Sequence, residues 1–211
     1  MFYLYNGCLT PVPKIVNPAT LADFRPISVT PILSRVAEKL VVTRWLRPAI
    51  NLQSIADQFG FRPTGSTTCA LVYFMHHVTR MLETNAYVRC LLIDFSKAFD
   101  IVDHAILLEK LDELQLPAYC FNWLIAFLTG RTHTTKNRHL ESTPLNINRS
   151  IIQGSGIGPT FYIILESDLK SESIFNVIFK YADDTNLLVP QHTDIQFMDE
   201  FNAIQMWVTK K

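Results

Sequence analysis

The chain has 211 residues, 48% of them hydrophobic and 18% charged, with a formal net charge of zero. That suits one ordinary domain, or a domain with a smaller lobe, and argues against a disordered tail, a collagen-like chain or a coiled coil. The four cysteines, Cys8, Cys69, Cys90 and Cys120, are widely spaced with no CxxC pair, which argues against a disulfide scaffold or zinc ribbon and fits a reducing compartment. No apolar run approaches the roughly 18 residues that span a bilayer. The opening MFYLYNGCLTPVPK has no basic start before an apolar stretch, so neither a membrane partner nor a signal peptide is expected. Charge is uneven along the chain: residues 1–80 carry 8 basic and 3 acidic groups, and residues 151–211 carry 4 basic and 8 acidic. A basic first third suits polyanions and acidic patches suit cations, although a mixed solvated surface explains the same numbers.

The first 31 residues hold Pro11, Pro13, Pro18, Pro26 and Pro31, which keep the chain extended or turning because each fixes φ and removes a donor. Leu33, Val36, Ala37, Leu40, Val41 and Trp45 recur at helical spacing, predicting a helix over Ile32–Ile50. A loop punctuated by Gly60, Pro63 and Gly65 precedes a second helix over Thr67–Glu83. Tyr87–Asp94 is a short apolar run of strand formers ending on an aspartate, and reads as a buried strand. Helices are expected over Asp103–Leu114 and Tyr119–Leu128, the first capped by Asp100 or Asp103. Thr132–Ile147 is polar and irregular, with a hairpin as one arrangement. After the glycine-rich turn Gly154–Pro159 come a helix over Thr160–Leu169, strands over Phe175–Tyr181 and Thr185–Val189, and a helix over Ile195–Val208. Trp45, Trp123 and Trp207 have helical neighbours and read as core rather than as base-stacking platforms.

Three places carry chemistry. The hairpin FKYADDTNLLVP sets Asp183 beside Asp184 at its tip. Adjacent carboxylates repel unless a cation shares them, and a hard divalent ion with oxygen ligands is the natural partner. With 11 aspartates in the chain, one adjacent pair is expected about 0.6 times by chance, so the pair decides nothing alone. Asp94 ends its strand with a carboxylate that needs a partner or a metal. Gln153-Gly154-Ser155-Gly156-Ile157-Gly158-Pro159 permits close backbone approach to a ligand, and the helix after it offers N–H groups to an anion, although an ordinary loop before a helix has the same composition.

Five blocks stand in one order: Phe24-Arg25-Pro26-Ile27-Ser28, Gln58 to Thr67, Leu92 to Asp100, Gln153 to Pro159, and Tyr181-Ala182-Asp183-Asp184. In these blocks the sequence resembles the reverse transcriptase domain of non-LTR, LINE-type retrotransposons. The resemblance implies an α+β right-hand polymerase fold, with fingers over residues 1–80, palm over residues 81–211 and an antiparallel sheet packed by helices. It implies RNA-directed DNA polymerase activity on an RNA template and a DNA primer, with deoxynucleoside triphosphates and two magnesium ions. Asp94 and Asp183 match metal-binding acids, Asp184 supports them, and the Phe95 carbonyl is a backbone ligand. Phe99 matches a gate against the ribose 2′-hydroxyl. Gln153 and Gly154 match the loop touching nucleotide and template, and Arg25 matches a cation facing the triphosphate, whereas Lys14 and Arg62 are weaker candidates for triphosphate or template contacts and read equally as plain surface cations.

The departures are Ile152 where a proline often stands, Gly156-Ile157 in place of aliphatic residues, and an end inside the helix after the hairpin, so that the later palm lysine region and the thumb are expected to be missing. The alternative is therefore an inactive truncated remnant or nucleic-acid binding module of the same fold. An RNA-directed RNA polymerase is opposed by Phe99. A metallohydrolase is opposed by the lack of histidine clusters, since adjacent His76 and His77 cannot face one ion from a helix. Nuclear and cytoplasmic locations are both open.

Overall fold

The computed structural model describes residues 7–95 and 98–210. Ser96 and Lys97, within the third of the five blocks, lie outside the described residues. In chain order the elements are β1 (Gly7–Pro13), a 3-10 turn (Leu21–Asp23), β2 (Phe24–Ser28), α1 (Ile32–Val41), a π-helical turn (Val42–Leu46), α2 (Arg47–Ala49), α3 (Thr67–Leu82) and β3 (Val88–Asp94). They continue with α4 (His104–Asp112), α5 (Ala118–Leu128), β4 (Arg131–Asn137), β5 (Leu140–Glu141), β6 (Leu145–Ile147), α6 (Gly158–Glu166), β7 (Val177–Tyr181), β8 (Asp184–Pro190) and α7 (Phe197–Thr209). Two compact units interleave along the chain, one of residues 1–50 and 99–164, the other of residues 51–98 and 165–211.

In the first unit the proline-rich opening is a sheet, not merely extended chain. Antiparallel β1 and β2 set Pro11 opposite Pro26, so two residues that cannot donate face each other and the lost hydrogen bonds fall at one rung. β4 adds beside β1 in parallel through Gly7–Leu9 and pairs antiparallel with β5 and β6, so the polar stretch 132–147 holds three strands rather than one hairpin. The helix expected over Ile32–Ile50 changes pitch at the π turn, one turn before Pro48, which has no N–H to offer the Arg44 carbonyl. The Asp103 side chain caps α4 by accepting from the Ala105 amide at 2.8 Å, as the spacing predicts. Leu46, Leu107, Leu111, Leu124 and Phe161 are at most 1% exposed. Each such side chain contributes about 1.5–3 kcal/mol by leaving water.

In the second unit a three-stranded antiparallel sheet runs β3-β8-β7. Leu187 and Val189 of β8 and Ile178 of β7 form one apolar cluster with Leu169 and Ile204, against which Leu91, Ile93, Phe95 and Trp207 pack. On the other face the rings of Tyr73 and Phe74 of α3 lie 5.9 and 5.8 Å from Phe179. The expectation of a buried strand before Asp94 is corrected here. β3 is at a sheet edge, and Cys90, Leu92 and Asp94 are exposed, Leu92 to 76%. The apolar run reads as buried on both faces, but successive side chains alternate and only Leu91 and Ile93 reach the cluster. Trp45, Trp123 and Trp207 are half-buried rather than core. The Trp45 and Trp207 indoles donate to the Tyr119 hydroxyl and the Asp168 carboxyl.

Candidate active site

β7 and β8 are joined by a two-residue turn, Ala182-Asp183, with Tyr181 paired to Asp184. β3 lies antiparallel to β8 in a register that sets Asp94 directly across from Asp184. Directly opposed residues point to the same sheet face, about 4.5–5.5 Å apart at Cβ. Asp94 and Asp184 are exposed and Asp183 is half-buried. Partial desolvation first, and then the Asp183 and Asp94 charges, push the Asp184 carboxyl above its ordinary value. Among the described residues no lysine or arginine forms an ion pair with any of the three.

This donor set suits a hard divalent cation, because uncompensated carboxylates facing one another are relieved by shared positive charge. Among the described residues no three carboxyl, imidazole or thiol groups are arranged around one metal position. The pairing observed is Asp94 with Asp184, and Asp183 stands next to it on the turn. The Phe95 carbonyl accepts from the Ala98 amide at 3.1 Å, and its ring packs 6.1 Å from Trp207.

Ala182 has φ of 57°, a region that favours glycine. We expect Ala182→Gly to raise stability by about 1 kcal/mol, or roughly 2–4 °C in Tm, by removing that strain; calorimetry checks it, and an unchanged or lower Tm contradicts it.

Beneath the turn lies a polar cluster that sequence reasoning missed. Lys180, 1% exposed, donates from Nζ to the Glu166 and Leu169 carbonyls at 3.0 and 2.8 Å and lies 3.3 Å from Asp57 Oδ2, which also meets Lys170 at 2.8 Å. Glu166, also 1% exposed, accepts from Gln58 Nε2 and Thr185 Oγ1. One signal was available: Lys180 interrupts the apolar strand VIFKY, and Glu166 ends the apolar run FYIILE. A charge at an inward position of such a segment needs a buried partner.

Burial pushes the Glu166 carboxyl up to about 8, against the pull of Lys180 and Thr185, while burial lowers Lys180. An acid raised in the fold stabilises it fully below its unfolded value of 4.5, and that contribution is lost as pH climbs through about 8. We therefore expect urea stability in metal-free buffer to fall by on the order of 1–3 kcal/mol between pH 5 and 8. Glu166→Gln should flatten that slope, and an equal slope in both proteins contradicts the assignment.

The remaining candidates in this second unit include Arg62, whose Nη1 donates to the Ile55 and Gln58 carbonyls at 2.8 and 3.0 Å, so that guanidinium braces a loop. In the first unit, Arg25 is exposed on β2, and Lys14 is exposed with Nζ on the Ala22 carbonyl at 3.0 Å. Phe99 stacks on Tyr162 with ring centroids 4.9 Å apart. Gln153 Nε2 donates to Asp100 Oδ1 at 2.9 Å. Gly154 has φ of +110°, and a Cβ there would meet the Ser28 carbonyl oxygen at 2.5 Å.

The loop before α6 differs from the open anion site its glycines allow. Glu38 Oε2 accepts from the Gly156 and Ile157 amides at 2.6 and 3.2 Å, and Ser155 Oγ accepts from Gly158. A carboxyl group from α1 already occupies the helix end that an external anion would need. Glu38 is fully buried, and its signal was an acid on the inward face of α1, one turn after Ser34, whose hydroxyl donates to it at 2.9 Å.

An α+β chain whose antiparallel sheet carries an aspartate hairpin opposite a third aspartate has the makings of a nucleotidyl-transfer palm. Residues 12–211 match the family described as reverse transcriptase (RNA-dependent DNA polymerase), and the chain belongs to that family. It is 30% identical over 174 residues to the probable RNA-directed DNA polymerase from transposon BS of Drosophila melanogaster, covering 79% of this chain and 19% of that protein. Over 206 residues it is 28% identical to the RNA-directed DNA polymerase from mobile element jockey of Drosophila funebris, covering 92% and 22%. The chain thus spans about a fifth of the length of these relatives.

Among solved structures, telomerase from Candida tropicalis in complex with the TWJ fragment of telomeric RNA superposes with a TM-score of 0.68 at 12% identity, over 98% of this chain and 38% of that one. Apo telomerase from the same organism, truncated from its C-terminal domain, gives 0.67 at 14% identity, over 98% and 46%. These likenesses bear out the expected polymerase fold of fingers and palm. Members of the family use divalent metal ions. Among the described residues no helix is long and apolar enough to cross a membrane.

Proposed function

We propose that the chain is the RNA-directed DNA polymerase module of a LINE-type retrotransposon, joining deoxynucleotides to a DNA primer on an RNA template. The observation that carries this reading is the register of β3 on β8, which opposes Asp94 to Asp184 beside the strained Ala182-Asp183 turn. Asp94, Asp183 and Asp184, with the Phe95 carbonyl, would hold two magnesium ions. When bound, the ions acidify the primer 3′-hydroxyl and offset charge on the triphosphate. The carboxylates align those ions, and their mutual repulsion without a cation favours binding.

Phe99, braced by Tyr162, is the ring that excludes a ribose 2′-hydroxyl. Gln153 and Gly154 face the incoming nucleotide, and Arg25 meets its phosphates in forked fashion. Lys14 and Arg62 have the weakest support, because backbone carbonyls already engage both. In this reading residues 1–80 are fingers-like and residues 81–211 are palm, and no membrane is a partner.

The test is primer extension on poly(rA)/oligo(dT) with magnesium, offering deoxy- and ribonucleotides separately. Magnesium-dependent incorporation of deoxynucleotides alone is expected. Preferred incorporation of ribonucleotides would make it an RNA-directed RNA polymerase. No extension from folded protein would leave the inactive remnant or nucleic-acid binding module.

A further inference from the structure

Gln58 lies in the loop between α2 and α3 and is 2% exposed. All four hydrogen-bonding directions of its amide are accounted for. Oε1 accepts from the Ala182 amide at 2.9 Å and from the Gly60 amide at 2.8 Å, and Nε2 donates to the Ala182 carbonyl and to Glu166 Oε2, both at 3.0 Å. One side chain thus grips both backbone polar groups of the residue held at positive φ. The loop reaches the hairpin as a short added strand: the Lys180 amide donates to the Asp57 carbonyl at 2.7 Å, and the Phe59 amide to the Lys180 carbonyl at 2.8 Å. Gly60 closes the approach, since a Cβ there would stand 2.2 Å from the Ala182 nitrogen. A turn with a non-glycine residue at positive φ persists only where its surroundings over-determine it.

We propose that Gln58 is a positioning residue, whose amide locks the Ala182 backbone and so sets the direction in which Asp183 is presented to the divalent cations. Glu166 completes the device by orienting the Gln58 amide from behind, so that its nitrogen and oxygen cannot exchange places. The cation part of this inference rests on the polymerase reading above, whereas the backbone lock does not.

The test uses the full chain, isotope-labelled, comparing wild type with Gln58→Leu. Amide hydrogen exchange followed by NMR reads the lock directly. In Gln58→Leu the Ala182 amide should exchange about tenfold faster or more, while the Lys180 and Leu187 amides keep their protection. Manganese affinity, read by electron paramagnetic resonance, should weaken about tenfold. Extension should lose kcat by about tenfold or more, with the deoxynucleotide KM held within about twofold.

A second variant guards against misfolding. Gln58→Met is unbranched and of similar size but offers no hydrogen bond to the Ala182 amide or carbonyl, so Ala182 exchange should accelerate in it as in Gln58→Leu while Leu187 keeps its protection. Unchanged Ala182 exchange in Gln58→Leu, equal acceleration at Ala182, Lys180 and Leu187, or full Ala182 protection in Gln58→Met would each overturn the proposal. A wild-type chain that neither extends primers nor binds manganese would sink the polymerase reading and the cation claim with it, and exchange would still decide the lock.

Discussion

Asp183→Asn is expected to reduce primer extension roughly a thousandfold or more, to background, while leaving the chain folded. The substitution keeps size and shape and removes one negative charge beside Asp184. That charge is one of those holding the Asp184 carboxyl above its ordinary value, so its loss relieves repulsion and should not lower stability. What it removes is the charge that attracts and aligns a divalent cation. Asp94→Asn should behave alike, since Asp94 faces Asp184 from β3. Magnesium titration separates this effect from unfolding: wild-type activity saturates with the ion, whereas the variant stays flat at any concentration with an unchanged circular dichroism spectrum. Activity that survives Asp183→Asn would remove the hairpin from the chemistry.

Glu38→Ala is the second large effect, on stability. The buried Glu38 carboxyl group satisfies three donors: the Ser34 hydroxyl and the amides of Gly156 and Ile157. Its deletion leaves those donors without their partner, the Ser34 hydroxyl and the Ile157 amide in buried positions, and removes the acceptor that complements the start of α6. The cost should be roughly 3 kcal/mol or more in urea unfolding. Glu38→Gln keeps an acceptor oxygen and should cost about 1 kcal/mol. Because the same loop carries Gln153 and Gly154, Glu38→Gln should also raise the deoxynucleotide KM if that loop receives the nucleotide. A loss in Glu38→Ala below about 1 kcal/mol would show that the loop holds its shape without the cap.

Local patterns carried much of this protein. Helical spacing places α3, α4, α5 and α7 within a few residues of their bounds, and reads α1, the π turn and α2 as one helix, because each buries one stripe and exposes the other. The Asp103 cap and the aspartate hairpin are short-range features, written in neighbouring residues. The five blocks led to the family because they carry the positions at which chemistry, not packing, dictates the residue.

Only the folded chain settled other matters, and each depends on partners far apart in sequence. β1 and β2 were illegible because proline opposes strand formation locally, and only cross-strand pairing reveals that the missing donors coincide. The opposition of Asp94 to Asp184 is a register, and a slip of one residue would turn the aspartate to the other sheet face. The glycine loop read as open to an anion because its occupant, Glu38, lies 118 residues away from Gly156. Gln58 headed one of the five blocks but received no role, because its meaning lies in Ala182, 124 residues downstream. Residue type and spacing determine which groups are available, whereas burial and long-range pairing determine which are already satisfied and which remain free to act.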